Sequence, residues 1–153
     1  MASSSLKSSP QELRSAVGAL LTEFTSRMES GEPIGDLLQA NASLQTPRGE
    51  VRGRTEIAKL FLTLFESRQR SGQVSRHSSL DVCVRDLGDN RFEVRSLLMA
   101  FSLSGVAAEA GSLLIGDQID IVELDSDGVY RFAARKLTPA LEFSLTRKPK
   151  GAH

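Results

Sequence analysis

The chain has one cysteine, no tryptophan, one tyrosine and two histidines in 153 residues. A lone thiol, Cys83, excludes an internal disulfide framework and fits a reducing compartment. His77 and the terminal His153 are the only histidines, so no metal-ligand spacing exists and no metal is expected. A dominant charge is also missing. Nineteen basic residues balance nineteen acidic ones, leaving no net field toward nucleic acid or an acidic membrane surface. The local run "ESRQRSGQVSR" has basic residues without interleaved aromatics, so it lacks the platforms that stack bases. No apolar run reaches the roughly 18 residues of a membrane span, and "MASSSLKSSPQ" has no apolar core of a secretory signal. The expectation is a cytoplasmic protein with no nucleic-acid or membrane partner. The glycines of "GDN" and "DSDG" belong to turns rather than phosphate cradles, and the segment around Asp125 and Asp127 is too short for a calcium loop.

What is present suffices for one core. A chain of this length buries about 70% of the surface its unfolded form exposes. Residues 1–9 are Ser-rich and expected to fray, 10–145 form one domain, and 146–153 are a polar tail. "SSPQEL" predicts a helix start, with Ser9 as N-cap, Pro10 at the first position and Glu12 closing a capping box. Leu13, Val17, Leu20, Leu21, Phe24 and Met28 recur at helical spacing up to about Glu29, where "SGEP" breaks the pattern. "IGDLLQA" predicts a short helical segment, and "ASLQTPRGEVRG" a strand or hairpin turning at Pro47 and Gly49. A second helix follows, with Thr55 as N-cap and a stripe of Ile57, Leu60, Phe61, Leu64 and Phe65.

The remainder is strand-like. "HSSLDVCVRDL" and "NRFEVRSLLMAFSL" flank one turn, "SLLIGDQIDIVEL" and "VYRFAARKL" another, and "LTPALEFSL" adds an edge segment bent at Pro139. Helices followed by antiparallel strands predict an α+β fold. Period-2 alternation divides "LIGDQIDIVEL" into a face with Leu114, Gly116, Gln118, Asp120 and Val122 and a face with Ile115, Asp117, Ile119, Ile121 and Glu123. Either face fits a pocket wall on pattern alone. Cys83 alternates in phase with His77, about 20 Å along one strand, too far for a Cys/His pair, and is expected as a small core residue.

"SLLIGDQIDIVELDSDGVYRFAARK", "RGEVRGRTEIAKLF" and "SRHSSLDVCVRDLGDNRFEVRSLLMAF" together resemble the SnoaL-like, nuclear-transport-factor-like superfamily. The style is that of its scytalone dehydratase and dehydrochlorinase branch, and small subunits of ring-hydroxylating dioxygenases share the last hairpin. The resemblance implies a curved, mostly antiparallel mixed sheet wrapped around N-terminal helices, forming a cone with an apolar pocket. It also implies a homodimer paired through the outer sheet face, and no cofactor. In that branch a carboxylate near the end of the first helix pairs with the histidine opening the third strand. The matching positions here are Glu29 and His77. The same resemblance favours the Asp120 face as the pocket wall and makes Asp120 a second polar contact. Several family features are absent. Met28 stands where a tyrosine often precedes the carboxylate, Tyr130 replaces the usual tryptophan, and the second histidine has no counterpart on "FEVRSLLMAF".

The expected catalytic set is therefore His77, Glu29 and Asp120. The expected pocket residues are Phe24, Met28, Phe61, Phe65, Met99, Phe101, Gln118 and Tyr130, with Leu21 also on the wall, and the expected ligand is a small apolar molecule. A carboxylate on one ring nitrogen fixes the tautomer and raises the basicity of the other, which suits proton removal beside a leaving group or carbonyl. Each residue also has a plainer reading. His77 could be a polar strand opener, and Glu29 a solvated helix end. Asp120 could be an exposed strand carboxylate paired with Arg95 or Arg131, and Arg135 a structural ion-pair residue. The corresponding functional alternatives are a lyase, isomerase or cyclase and a non-catalytic binding or dimerising scaffold.

Overall fold

A computed structural model describes residues 8–104 and 110–146. The chain order is α1 (Pro10–Ser30), a single 3-10 turn (Gly35–Leu37), β1 (Leu38–Thr46), β2 (Gly49–Arg52), α2 (Arg54–Arg70), β3 (Val74–Gly88), β4 (Arg91–Ser104), β5 (Ala110–Leu124) and β6 (Tyr130–Thr146). The terminal segments expected at 1–9 and 146–153 lie outside the described residues except for Ser8, Ser9 and Thr146. Among the described residues no helix is long and apolar enough to cross a membrane.

The first helix begins as its sequence predicts. Ser9 Oγ accepts from the Glu12 backbone N–H, and the Glu12 carboxylate accepts from the Ser9 N–H at 2.7 Å. It ends at Gly31, whose φ of 76° is left-handed and which lets the Phe65 ring of α2 close over the helix end. A Cβ on Gly31 would stand 2.3 Å from Phe65 Cε1. The second helix differs from expectation at its start. Gly53, with φ of 92°, is the N-cap in place of Thr55, and no side chain caps it.

The six strands form one sheet in the order β2-β1-β6-β5-β4-β3, antiparallel except for the parallel β1/β6 pair. Register shifts interrupt β3 between Leu80 and Cys83, β5/β6 between Ile115 and Gly116, and again between Ile121 and Val122. Such shifts bend strands and increase twist, which is how a sheet this long curls over its helices. "LTPALEFSL" is not a separate edge piece. It continues β6, with Pro139 opposite Gly116 at one of those irregularities.

The core sits where the two helices meet the covered half of the sheet. Val17, Phe24, Leu38, Ile57, Val94, Val122 and Phe132 are buried there. Phe24 anchors it, with edge-on rings of Phe61 and Phe132 at 5.3 and 5.4 Å. Beyond the helices, β3 to β6 run on as a ribbon whose outer face no described residue covers. Directly opposed residues share a face, and one face of the ribbon carries Val74, Leu103 and Leu145, then Phe101, Leu113 and Phe143, then Met99, Ile115 and Leu141.

Candidate active site

The last turn of α1 and the start of β3 meet through one carboxylate. Glu29 Oε1 accepts from the His77 backbone N–H at 2.5 Å and lies 3.1 Å from His77 Nδ1. Both side chains are 16% exposed, so the pair sits at the cavity wall rather than in bulk water. An ionised carboxylate can only accept, so the contact places the ring proton on Nδ1 and leaves Nε2 as the basic nitrogen. Burial pushes the His77 imidazole below its usual 6.5, outweighing the hydrogen bond and charge of Glu29, which raise it. The cations Arg68 and Arg135 push in the same direction as burial. The balance favours the neutral ring.

The β5/β6 pair supplies a second constellation. Asp120 is 0% exposed and accepts from Arg135 through both oxygens, at 2.9 Å from Nε and 3.2 Å from Nη2. Gln118 Nε2 donates to the same carboxylate at 2.8 Å. Arg135 is also packed against two aromatic faces, with its guanidinium carbon 4.1 Å from the Phe24 centroid and 4.2 Å from that of Phe132. Asp120 thus pairs with neither Arg95 nor Arg131. Those arginines bind Glu93 and the Asp125/Asp127 turn respectively. The register shift after Ile121 brings Arg135 directly opposite Asp120.

Between these groups lies a cavity of 310 Å³. Phe24, Met28, Phe61, Leu64, Leu98 and Leu137 make its apolar wall, and His77, Gln118 and Arg135 bring the polar groups. Leu64 is 43% exposed because α2 covers a hollow there instead of packed side chains. Of the expected pocket residues, Phe24, Met28, Phe61 and Gln118 line this cavity. Asp120 lies behind Arg135 and does not line it.

Four expected pocket positions are placed elsewhere. Met99 and Phe101 share the opposite sheet face with Ile115 and Leu113, one residue out of phase with the lining Leu98. Phe65 packs on Gly31 and lines a separate recess with Glu29 and Arg68. Tyr130 packs beside Phe92 at 5.9 Å and against the core. Cys83 is exposed rather than buried, because the irregularity at Asp81, with φ of 52°, shifts the strand phase before it. Arg135 is the cavity residue whose orientation sequence reasoning missed, and its signal was a basic residue in reach of the one acid on the buried face of β5. Among the described residues no three His, Cys, Asp or Glu side chains cluster as metal ligands.

No family model matches the chain, and no curated protein matches it. Solved structures do. A candidate scytalone dehydratase from Novosphingobium aromaticivorans superposes with a TM-score of 0.72 at 16% identity, covering 92% of this chain and 95% of that one. A type 2 hexachlorocyclohexane dehydrochlorinase, LinA, gives 0.73 at 12% identity over 91% and 95%. ActVI-ORFA from Streptomyces coelicolor gives 0.69 at 13% identity over 83% and 96%. At these identities the likeness concerns the fold, and it is the α+β cone that the sequence resemblance implied.

Proposed function

We propose that the chain is a cofactor-independent lyase, isomerase or cyclase that removes a proton from a small, largely apolar cyclic substrate. The observation that carries this reading is the Glu29–His77 contact at the wall of an apolar cavity that also holds Arg135. In the reaction, His77 Nε2 takes a proton from a carbon beside a leaving group or carbonyl. The C–H electrons form a double bond as the leaving group departs with its pair, or move onto the carbonyl oxygen as an enolate. Arg135, held by Asp120, offers its remaining N–H groups to the oxygen or halide that gains charge. The new imidazolium is stabilised by Glu29, whose effect on the ring opposes that of burial. Asp120 is then a positioning residue. The names of the similar dehydratase and dehydrochlorinase support the same class, since both describe eliminations.

A turnover screen of cyclic ketones, halides and alcohols with an acidic C–H tests the reading. His77→Ala should lower turnover about 10²- to 10⁴-fold, the range of a general base. Equal turnover by the variant removes His77 from the mechanism. A second reading, a binding module without chemistry, is favoured by the shortage of proton donors. Among the described residues lining the cavity, only His77 and Arg135 titrate or carry charge. Ligand binding that persists without turnover, and that His77→Ala leaves unchanged, would select it. In either case the apolar rows on the outer ribbon face suit a second copy of the chain, giving a homodimer.

A further inference from the structure

A second cavity of 560 Å³ lies on the other side of His77, between α1 and the free edge of β3. It shares Thr25, His77 and Ser79 with the apolar cavity, so the two are neighbours across the imidazole. Its character differs. The α1 wall is Gly18, Leu21, Thr22, Thr25, Ser26 and Glu29, one helix face at three- and four-residue steps. Among the described residues no lysine or arginine lines it, and the one carboxylate in that lining, Glu29, serves His77.

Its opposite wall offers backbone. β3 ends the sheet, so alternate residues along it turn their N–H and C=O away from β4. The His77 N–H on that side is taken by Glu29. Ser79, two residues on, presents its own N–H and C=O to the same side.

Gly18 lies in the α1 wall at the end farthest along the helix from Glu29. A glycine inside a helix costs about 1 kcal/mol relative to alanine. Here no left-handed φ requires it, and a Cβ at this position would meet nothing within 4 Å. Neither backbone conformation nor close packing calls for glycine at residue 18. The space beside it is open, and a larger side chain there would project into the groove.

We infer that this groove is a second subsite, and that the substrate is bipartite: an apolar ring in the inner cavity, and an uncharged arm bearing hydroxyl or ether oxygens that passes His77 into the groove. This rests on the reading of the inner cavity as the substrate site. The hydroxyls of Thr22, Thr25 and Ser26 and the Ser79 backbone supply both donors and acceptors to such an arm. An anionic arm would meet the Glu29 carboxylate at the junction; among the described residues no cation lines the groove itself, and Arg76, 4.0 Å from Glu29, lines the neighbouring recess.

The test compares 2-naphthol with its triethylene glycol ether, titrated by naphthyl fluorescence against wild type, Gly18→Leu and Thr22→Val. Wild type should bind the ether about tenfold more tightly than 2-naphthol, the worth of one or two hydrogen bonds. Gly18→Leu, filling open space on a helix, should erase that gain and leave 2-naphthol binding unchanged. Thr22→Val, which adds no bulk, should reduce the gain and decides the matter alone if circular dichroism shows Gly18→Leu misfolded. A gain that survives both substitutions, or no gain in wild type, overturns the subsite. Binding of neither probe overturns the subsite and the inner-cavity reading together. Ether binding that Gly18→Leu abolishes, with no 2-naphthol binding in any form, keeps the groove and sinks the inner-cavity reading.

Discussion

The same three strands are two different materials along their length. Under the helices, β4 to β6 bury Val94, Asp120, Val122 and Phe132 almost completely. A few residues further along the same strands, Leu141 and Phe143 are 53% and 47% exposed. Apolar content does not separate the two stretches. Face and cover do: the first set lies on the inner face closed by α1 and α2, whereas Leu141 and Phe143 lie on the opposite face, which no described residue covers. His77 lies near the boundary, in the cross-strand row His77–Ala100–Leu114–Glu142. The covered half fixes geometry, the uncovered half presents surface, and the candidate base stands between them. An exposed apolar face of this kind is where the proposed second copy would pack.

Substitutions in the two halves should therefore fail in different ways. The largest effect is expected under the helices. Asp120→Ala leaves a guanidinium that is 12% exposed without its counter-ion, and should cost about 3–5 kcal/mol of stability in urea melts. A loss below about 1 kcal/mol would mean that Arg135 finds water or another partner, and the covered half is less rigid than described. In the uncovered half, Leu141→Glu with Phe143→Glu should convert a dimer into a folded monomer by light scattering, with a melting temperature that no longer depends on protein concentration. A wild-type monomer in the same experiment would remove the proposed second copy.

At the boundary, kcat/KM should rise with pH to a plateau, with its midpoint below the usual 6.5 of histidine, because the neutral ring is the active form. Glu29 raises the His77 pKa, so Glu29→Gln should move that midpoint to still lower pH. Plateau turnover should fall about tenfold, the worth of one charged hydrogen bond. An unmoved midpoint would separate Glu29 from the base. The smallest effect returns to the covered half. Ser96 Oγ is buried with no hydrogen-bond partner among the described residues, so Ser96→Ala should leave stability unchanged or raise it by up to about 1 kcal/mol. A clear loss would reveal a partner for that hydroxyl.

The parts of this architecture that were legible in the sequence are those fixed by local chemistry. Ser9, Pro10 and Glu12 specify a helix start through their own hydrogen bonds, and turns at "GDN" and "DSDG" announce their hairpins. The α+β class followed from the order of elements. The Glu29–His77 proximity came only from family resemblance, since 48 residues separate the two and no local rule connects them. What escaped was strand phase. Period-2 reasoning holds until a residue is inserted, and the irregularities near Asp81 and after Ile121 moved Cys83 outward and chose Arg135 for Asp120. Met99 and Phe101 failed for a related reason. They are as apolar as their even-numbered neighbours, and composition could not tell the face turned to the cavity from the opposite face.

The contact between Glu29 and His77 makes α1 a ruler. Its start is pinned by the Ser9–Glu12 box, and its far end holds both the backbone and the ring of His77 with one oxygen. Each residue along a helix advances about 1.5 Å and turns about 100°. Removing a single residue between the pinned start and Glu29 would swing the carboxylate to another side of the helix while the apolar stripe still sought the core. The alignment of the base is thus written in the number of residues in α1 as much as in their identity, and length variation should be tolerated elsewhere in the chain before it is tolerated there.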